Sequence, residues 1–331
     1  GWDVCCGFLT MSVGPGGLVR AGSAVDRGIA LGALWAWGEV PAGGLHATAH
    51  FGERGLDGGS GRPAGLLSAV VAARELGFER IMVPESGRTE ASLVPGIAVI
   101  SAPDLAAAAA WHRGAPGRWS EIPGDRRRDG EKPGNGPRVS RALTEPDMAD
   151  VVGQPEATEA MVIAAAGRHP ISLSGPPGAG KTLLASRLPS ILPDLTSEEA
   201  LTASCIASLG GSPVTELIRR PPFERPHHTA SPAAIIGGGD AAGIRPGAIT
   251  RACHGVMLLD ETPLFSSAVL DALRQPLESG VVEIHRARFR APFPAAPPLV
   301  LASNPCRSDA RRVGKECRSR WSPYPHKNNM P

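Results

Sequence analysis

The chain has 331 residues, 42% hydrophobic and 20% charged, enough for about two domains that each bury a core. No apolar run approaches the ~18 residues that cross a bilayer, and no basic stretch followed by an apolar core marks a signal peptide. Net charge is +2, but residues 307–331 hold seven Lys or Arg against two Asp or Glu, so the remainder is −3 and the slight basicity lives in the tail.

The six cysteines (5, 6, 205, 253, 306 and 317) form no C-x-x-C pair. That excludes a zinc knuckle or disulfide framework read from spacing and fits a reducing cytoplasm. From the N-terminus, "SAVDRGIALGALWAWGEV" has apolar residues three and four apart and predicts a helix. "AGLLSAVVAARELG" predicts a stronger one, closed by Gly77. "RIMVP" and "IAVIS" read as buried strands and "APDLAAAAAWH" as a helix, so residues 1–112 form an α/β or α+β unit. Residues 113–147 are rich in Gly, Pro and charges of both signs, and read as a flexible linker in which "DRRRDGEK" is solvated.

A second α/β unit is expected over residues 148–306. "PEATEAMVIAAAG" predicts a helix, "HPISLSG" a strand and "KTLLASRLPSIL" a helix. "TSEEALTASCIASLGG" predicts another helix, with Thr196 and Glu199 at capping-box spacing. "GVMLLDE" and "PLVLASN" read as buried strands, "SSAVLDALRQPLESG" as a helix and "VVEIHRARFRAPF" as a β-hairpin. Strands alternating with helices imply a largely parallel sheet.

Three stretches carry chemistry. Gly175, Pro176, Pro177, Gly178, Ala179, Gly180, Lys181 and Thr182 fit G-x-x-x-x-G-K-[ST], between a predicted strand and a predicted helix. Glycines there let backbone N–H groups approach a polyphosphate, and the helix start adds the positive end of its dipole. Lys181 would reach the β- and γ-phosphates of ATP, and Thr182 would ligate Mg²⁺. "GVMLLDE" sets Asp260 and Glu261 at the carboxyl end of a strand, where α/β sheets bind ligands. Asp260 would serve the Mg²⁺ shell and Glu261 would deprotonate the attacking water. Asn304 ends the "LVLASN" strand and would hydrogen-bond the γ-phosphate or the water; taken alone it reads as a strand-ending turn residue, and the other two motifs favour the functional role.

These motifs, with "DVVGQPEATEAMVIAAAGRHPISLSGPPGAGKT", "RPPFERPHHTASPAAIIGGG", "RPGAITRACHGVMLLDETPLF" and "NPC", resemble the magnesium-chelatase-like AAA+ ATPases of the YifB/ComM type over roughly residues 13–306. "AGSAVDRGIALG" and "FGERGLDGGSGRPAGLLSAVVAARELGFERIMVP" are similar to that family's N-terminal domain, which has the ribosomal-S5-domain-2-like (Lon-like) fold. The resemblance implies an α+β N-terminal domain, a P-loop AAA+ α/β core, a homo-oligomeric ring that is usually a hexamer, and helicase or branch-migration activity on DNA. It makes residues 175–182 the Walker A motif, Asp260 and Glu261 Walker B, and Asn304 sensor 1. It also sets "HRARFR" on a hairpin facing the ring pore. Arg286, Arg288 and Arg290 at alternating positions would share one strand face and contact DNA phosphates, the alternative being a solvated face.

The sequence also departs from the family. Residues 1–12 do not resemble it, Glu224 stands where Arg is usual, and Thr262 and Leu264 stand where Leu and Glu are usual. No Ser/Lys arrangement supports protease activity. His227 and His228 in "PHHT" read as structural or subunit-contact residues rather than metal ligands, because neighbouring side chains usually point different ways. The family's arginine finger and helical lid do not follow "NPC". Instead "RRVGKECRSRWSPY" resembles the translation of a sequencing-library adapter, and residues 307–331 are expected to be non-native. Two other readings stay open: an ATPase motor for metal insertion, and a nucleotide-binding module without turnover.

Overall fold

The computed structural model describes residues 24–55, 58–124, 146–240, 243–286 and 289–304. In the first unit these form α1 (Asp26–Ala36), β1 (Thr48–His50), α2 (Leu66–Glu75), β2 (Arg80–Val83), β3 (Ala98–Ser101), α3 (Leu105–His112) and β4 (Ser120–Ile122). The sheet order is β1-β2-β3-β4, parallel except for the antiparallel β4. Strand alternation explains why both faces are covered. Ile81, Val83 and Val99 pack with Leu66, Leu67 and Val70 of α2. Met82 and Ile100, one position out of step, pack with Leu31 and Leu34 of α1 and with Ala107–Ala109 of α3.

Local signals set the helix ends. Gly77 adopts φ +85°, which lets its N–H reach Arg74 O (3.0 Å) and the N–H of Phe78 reach Ala73 O (3.0 Å), satisfying two carbonyls that the helix leaves free. At the start of α3 the Asp104 carboxylate accepts from Ala107 N at 2.8 Å. The expected linker begins too early: Ser120–Ile122 belongs to the first sheet, opposite Ser101–Val99. Residues 125–145 lie outside the described ones.

The second unit contains α4 (Pro155–Gly167), β5 (Ile171–Ser174), α5 (Lys181–Ile191), α6 (Ser197–Leu209), β6 (Phe223–Glu224), β7 (Val256–Leu259), α7 (Ser267–Ser279), β8 (Val281–Arg286), β9 (Phe289–Pro294) and β10 (Leu299–Ser303). Its main sheet runs β5-β10-β7-β6, all parallel. All four residues of β7 are buried, as an unbroken apolar run in a doubly covered sheet requires. Val256 and Leu258 face α5 through Leu184 and Leu188. Met257 and Leu259 face α7 through Val269 and Leu273. Thr196 and Glu199 close the expected capping box at the start of α6. The hairpin β8–β9 pairs antiparallel beside this sheet.

The two units share helix α6. Leu201 and Cys205 pack against the core of the first unit. Ser208 O accepts from Gly65 N at 3.0 Å, and Ser208 Oγ accepts from Leu67 N at 3.3 Å, so one serine covers two of the free N–H groups at the start of α2. Arg62 pairs with the buried Glu90 and also reaches Gly211 O (3.3 Å) and Ser212 O (3.0 Å).

Candidate nucleotide site

At the carboxyl edge of the second sheet, the ends of β5, β6, β7 and β10 surround a cavity of about 460 Å³. Residues 175–180 connect β5 to α5 as a tight loop. Gly178 and Gly180 adopt φ +81° and +78°, a region where a side chain is strained, and this is the physical need for glycine at those two positions. Gly175 N donates to Ser303 O at 3.3 Å, tying the loop to the neighbouring strand end. The next residue, Lys181, opens α5.

Lys181 folds back over this loop. Its ammonium donates to Gly175 O (2.8 Å), Pro176 O (2.9 Å) and Asn304 Oδ1 (3.0 Å). Thr182 Oγ1 donates to Asp260 Oδ2 at 2.9 Å. Three motifs far apart in sequence therefore meet through side-chain contacts. Glu261 adopts a left-handed backbone, φ 53° and ψ 45°. A non-glycine residue there costs on the order of 1–3 kcal/mol, a strain typical of functional positions. Its carboxylate is exposed and lies 3.6 Å from His228 Nδ1. The Thr182 hydroxyl and the Asp260 carboxylate are hard oxygen donors beside a polar cavity, the donor type that Mg²⁺ takes. The loop, with its glycines and its lysine, suits a polyphosphate.

Sequence reasoning missed the fourth wall. Arg225 Nη2 reaches Asp260 Oδ2 at 2.6 Å, and Pro226, His227 and His228 also line the cavity. The two imidazoles turn to the same side, with ring centroids 4.1 Å apart, because residues 225–228 form a loop and do not alternate as a strand would. The "PHH" motif was the available signal. The departures find structural partners. Glu224 takes a two-pronged ion pair with Arg251 (3.1 and 2.9 Å). The Thr262 hydroxyl lies 2.9 Å from Leu259 O and 3.2 Å from Ala302 O, at the ends of two adjacent strands.

The three hairpin arginines do not share one strand. Arg286 ends β8 opposite Phe289, Arg290 in β9 stands opposite His285, and Arg288 lies outside the described residues. Adjacent register pairs belong to opposite faces of a ribbon, so positions 286 and 290 fall on different faces. Among the described residues no cluster of three metal-binding side chains occurs, and no helix is long and apolar enough to cross a membrane. Burial raises both described thiols, that of Cys253 to about 11, so neither is poised as a thiolate.

Comparison with known proteins identifies the family. The family described as "Magnesium chelatase, subunit ChlI" matches residues 147–327, a match that runs past Cys306 across most of the stretch expected to be non-native. The chain is 42% identical over 304 residues to the uncharacterized protein Rv2897c of Mycobacterium tuberculosis, covering 90% of this chain and 57% of that one. It is 37% identical over 306 residues to the uncharacterized protein YifB of Escherichia coli (92% and 57%). With the competence protein ComM of Haemophilus influenzae the identity is 36% over 298 residues (90% and 56%). It thus spans little more than half the length of these relatives. On the extent of the family match and these likenesses, the chain belongs to the magnesium chelatase subunit ChlI family and is of its YifB/ComM type.

Proposed function

We propose that this chain is the nucleotide-binding part of an AAA+ motor that binds Mg²⁺–ATP in the 460 Å³ cavity and hydrolyses it. The observation that carries the reading is the meeting of Thr182 with Asp260 (2.9 Å) and of Lys181 with Asn304 (3.0 Å). The Gly175–Gly180 backbone would receive the phosphates. Lys181 would exchange two carbonyl oxygens and an amide oxygen for phosphate oxygens, and these contacts keep its charge at the site meanwhile. Thr182 and Asp260 would hold Mg²⁺, which when bound offsets phosphate charge. Glu261, exposed at the cavity, accepts a proton from water, and Asn304 orients the γ-phosphate or that water.

In the whole protein we assign this motor to DNA, as a cytoplasmic ring, usually a hexamer, with helicase or branch-migration activity. The relative named as a competence protein supports that assignment. The β8–β9 hairpin, bearing Arg286, Arg288 and Arg290, would contact the phosphate backbone non-specifically. The first unit is read as the ribosomal-S5-domain-2-like domain. A second reading, a motor for metal insertion, is favoured by the description of the matched family. Salt-dependent binding of single-stranded DNA by the whole protein separates the two.

The nucleotide reading is tested by titrating a fluorescent ATP analogue into the wild-type chain and into Lys181→Ala. Lys181 bonds to loop carbonyls and an exposed-edge amide, not to the core, so circular dichroism should be unchanged while affinity falls by roughly a hundredfold or more. Equal affinity removes the site assignment.

A further inference from the structure

Asp260 already accepts three hydrogen bonds. Its Oδ2 accepts from both Thr182 Oγ1 (2.9 Å) and Arg225 Nη2 (2.6 Å), and its Oδ1 accepts from Glu261 N at 3.0 Å. We propose that Arg225 is a tethered counter-ion that neutralises Asp260 until Mg²⁺ displaces it, and that the freed guanidinium then turns to the phosphates of the nucleotide. This rests on the nucleotide reading above and adds a residue and a sequence of events to it.

The fold aims Arg225 at this carboxylate. Strand β6 lies beside β7 in parallel register, Glu224 opposite Met257, so both chains leave the sheet at the same edge, toward Arg225 and Asp260. Glu224, the last residue of β6, is held by Arg251, whose own Nη1 is fixed on Pro246 O at 2.9 Å, and Arg225, the first residue of the loop that follows, lines the cavity.

Chemistry decides which donor must leave. A hydroxyl keeps a lone pair while it donates, so Thr182 can ligate a cation and still hydrogen-bond Asp260. A guanidinium has no lone pair to offer the ion and carries the same sign, so the two repel at the shared Oδ2 and the doubly charged Mg²⁺ is the stronger partner for it. Exposure permits the exchange: the Arg225 side chain is 52% exposed and Asp260 only 16%. Such a half-solvated pair is worth little enough to break. Lys181 does not compete for Asp260, because its ammonium is engaged by two carbonyls and Asn304. Once released, the planar fork of Arg225 suits two phosphate oxygens at once.

The competition has a measurable signature in the wild-type chain and in Arg225→Gln, with a fluorescent ATP analogue as probe and Mg²⁺ varied. Removing the tethered cation should lower the Mg²⁺ concentration for half-maximal analogue binding by roughly threefold to tenfold. In EDTA the same variant should bind the analogue more weakly, since Asp260 then repels the phosphates unscreened. Arg225→Lys, which restores the charge, should return both values most of the way. A Mg²⁺ half-point that stays put or rises in Arg225→Gln, in a chain whose binding is lost by Lys181→Ala, overturns the role of Arg225 alone. Absence of binding by the wild-type chain at every Mg²⁺ concentration overturns the nucleotide reading and this inference together.

Discussion

The two units handle polar side chains in opposite ways. In the first unit Arg27 is 2% and His112 8% exposed. The Arg27 Nη2 donates to Ala102 O at 2.9 Å, and His50 Nε2 meets His112 Nε2 at 2.9 Å, but Arg27 Nε and Nη1 and His112 Nδ1 have no partner among the described residues. Burial pushes the His50 imidazole down to about 3, helped by His112 and Arg27, and pushes His112 down to about 4. In the second unit Lys181 and Thr182 at a helix start, and Asp260, Glu261 and Asn304 at strand ends, stand around an open cavity. Their partners are oxygens or cations that a ligand can replace. Burial holds the two histidines neutral and leaves part of Arg27 without a partner, whereas the side chains around the cavity have partners that can be exchanged. Only the second kind can bind and release a phosphate.

The comparison breaks most visibly at Glu261. Glu261→Gln should lower steady-state phosphate release by the assembled protein roughly 100-fold to 1,000-fold, with analogue affinity nearly unchanged, because an amide cannot take the proton of water. Turnover at the wild-type rate would mean that the edge carboxylate is no more engaged in chemistry than the buried polar groups of the first unit.

The buried histidines sharpen it through pH. Both are held neutral in the folded chain, while in the unfolded chain they protonate near 6.5. Below that pH the unfolded state binds protons that the folded state does not. Stability is therefore complete above pH 6.5 and lost as pH falls from 6.5 toward 4, by up to about 1.4 kcal/mol per pH unit for each ring. The melting temperature should fall across that window, and His112→Gln should flatten the slope. A profile that is level between 6.5 and 4 would show the pair to be solvated.

The smallest effect is expected where the units touch. Ser208→Ala leaves the N–H of Leu67 buried without its acceptor and should cost about 1–2 kcal/mol in denaturant unfolding, with nucleotide affinity unchanged. A change in affinity without a change in stability would mean that the contact acts on the site and not on the packing.

Much of this was legible in sequence. Helix α4 is the run that "PEATEAMVIAAAG" marks, and β7 is the apolar core of "GVMLLDE", because long runs and their Gly and Pro limits act locally. The loop before Lys181 and the place of Asp260 just after β7 were legible for the same reason. Strands of two or three residues were not: Thr48–His50, Ser120–Ile122 and Phe223–Glu224 are strands only because a longer neighbour pairs with them. That is why part of the sheet was read as linker. Arg225 escaped notice because its partner, Asp260, is 35 residues away and becomes adjacent only when β6 lies beside β7. The hairpin arginines were aligned as if on one strand, whereas Arg286 belongs to β8 and Arg290 to β9.

Helix α6 has a consequence for cooperativity. Ala200 and Ala203 pack on Leu195, Leu217 and Ile218 of the second unit, while Leu201 and Cys205 on its other side pack into the first. Melting either unit would expose apolar surface on the same helix, so a half-unfolded chain pays the hydration of both faces with no core to offset it. The shared helix thereby favours cooperative unfolding of the two sheets. The first unit is a stabilising wall of the second, and a shift of α6 would be felt in both sheets at once.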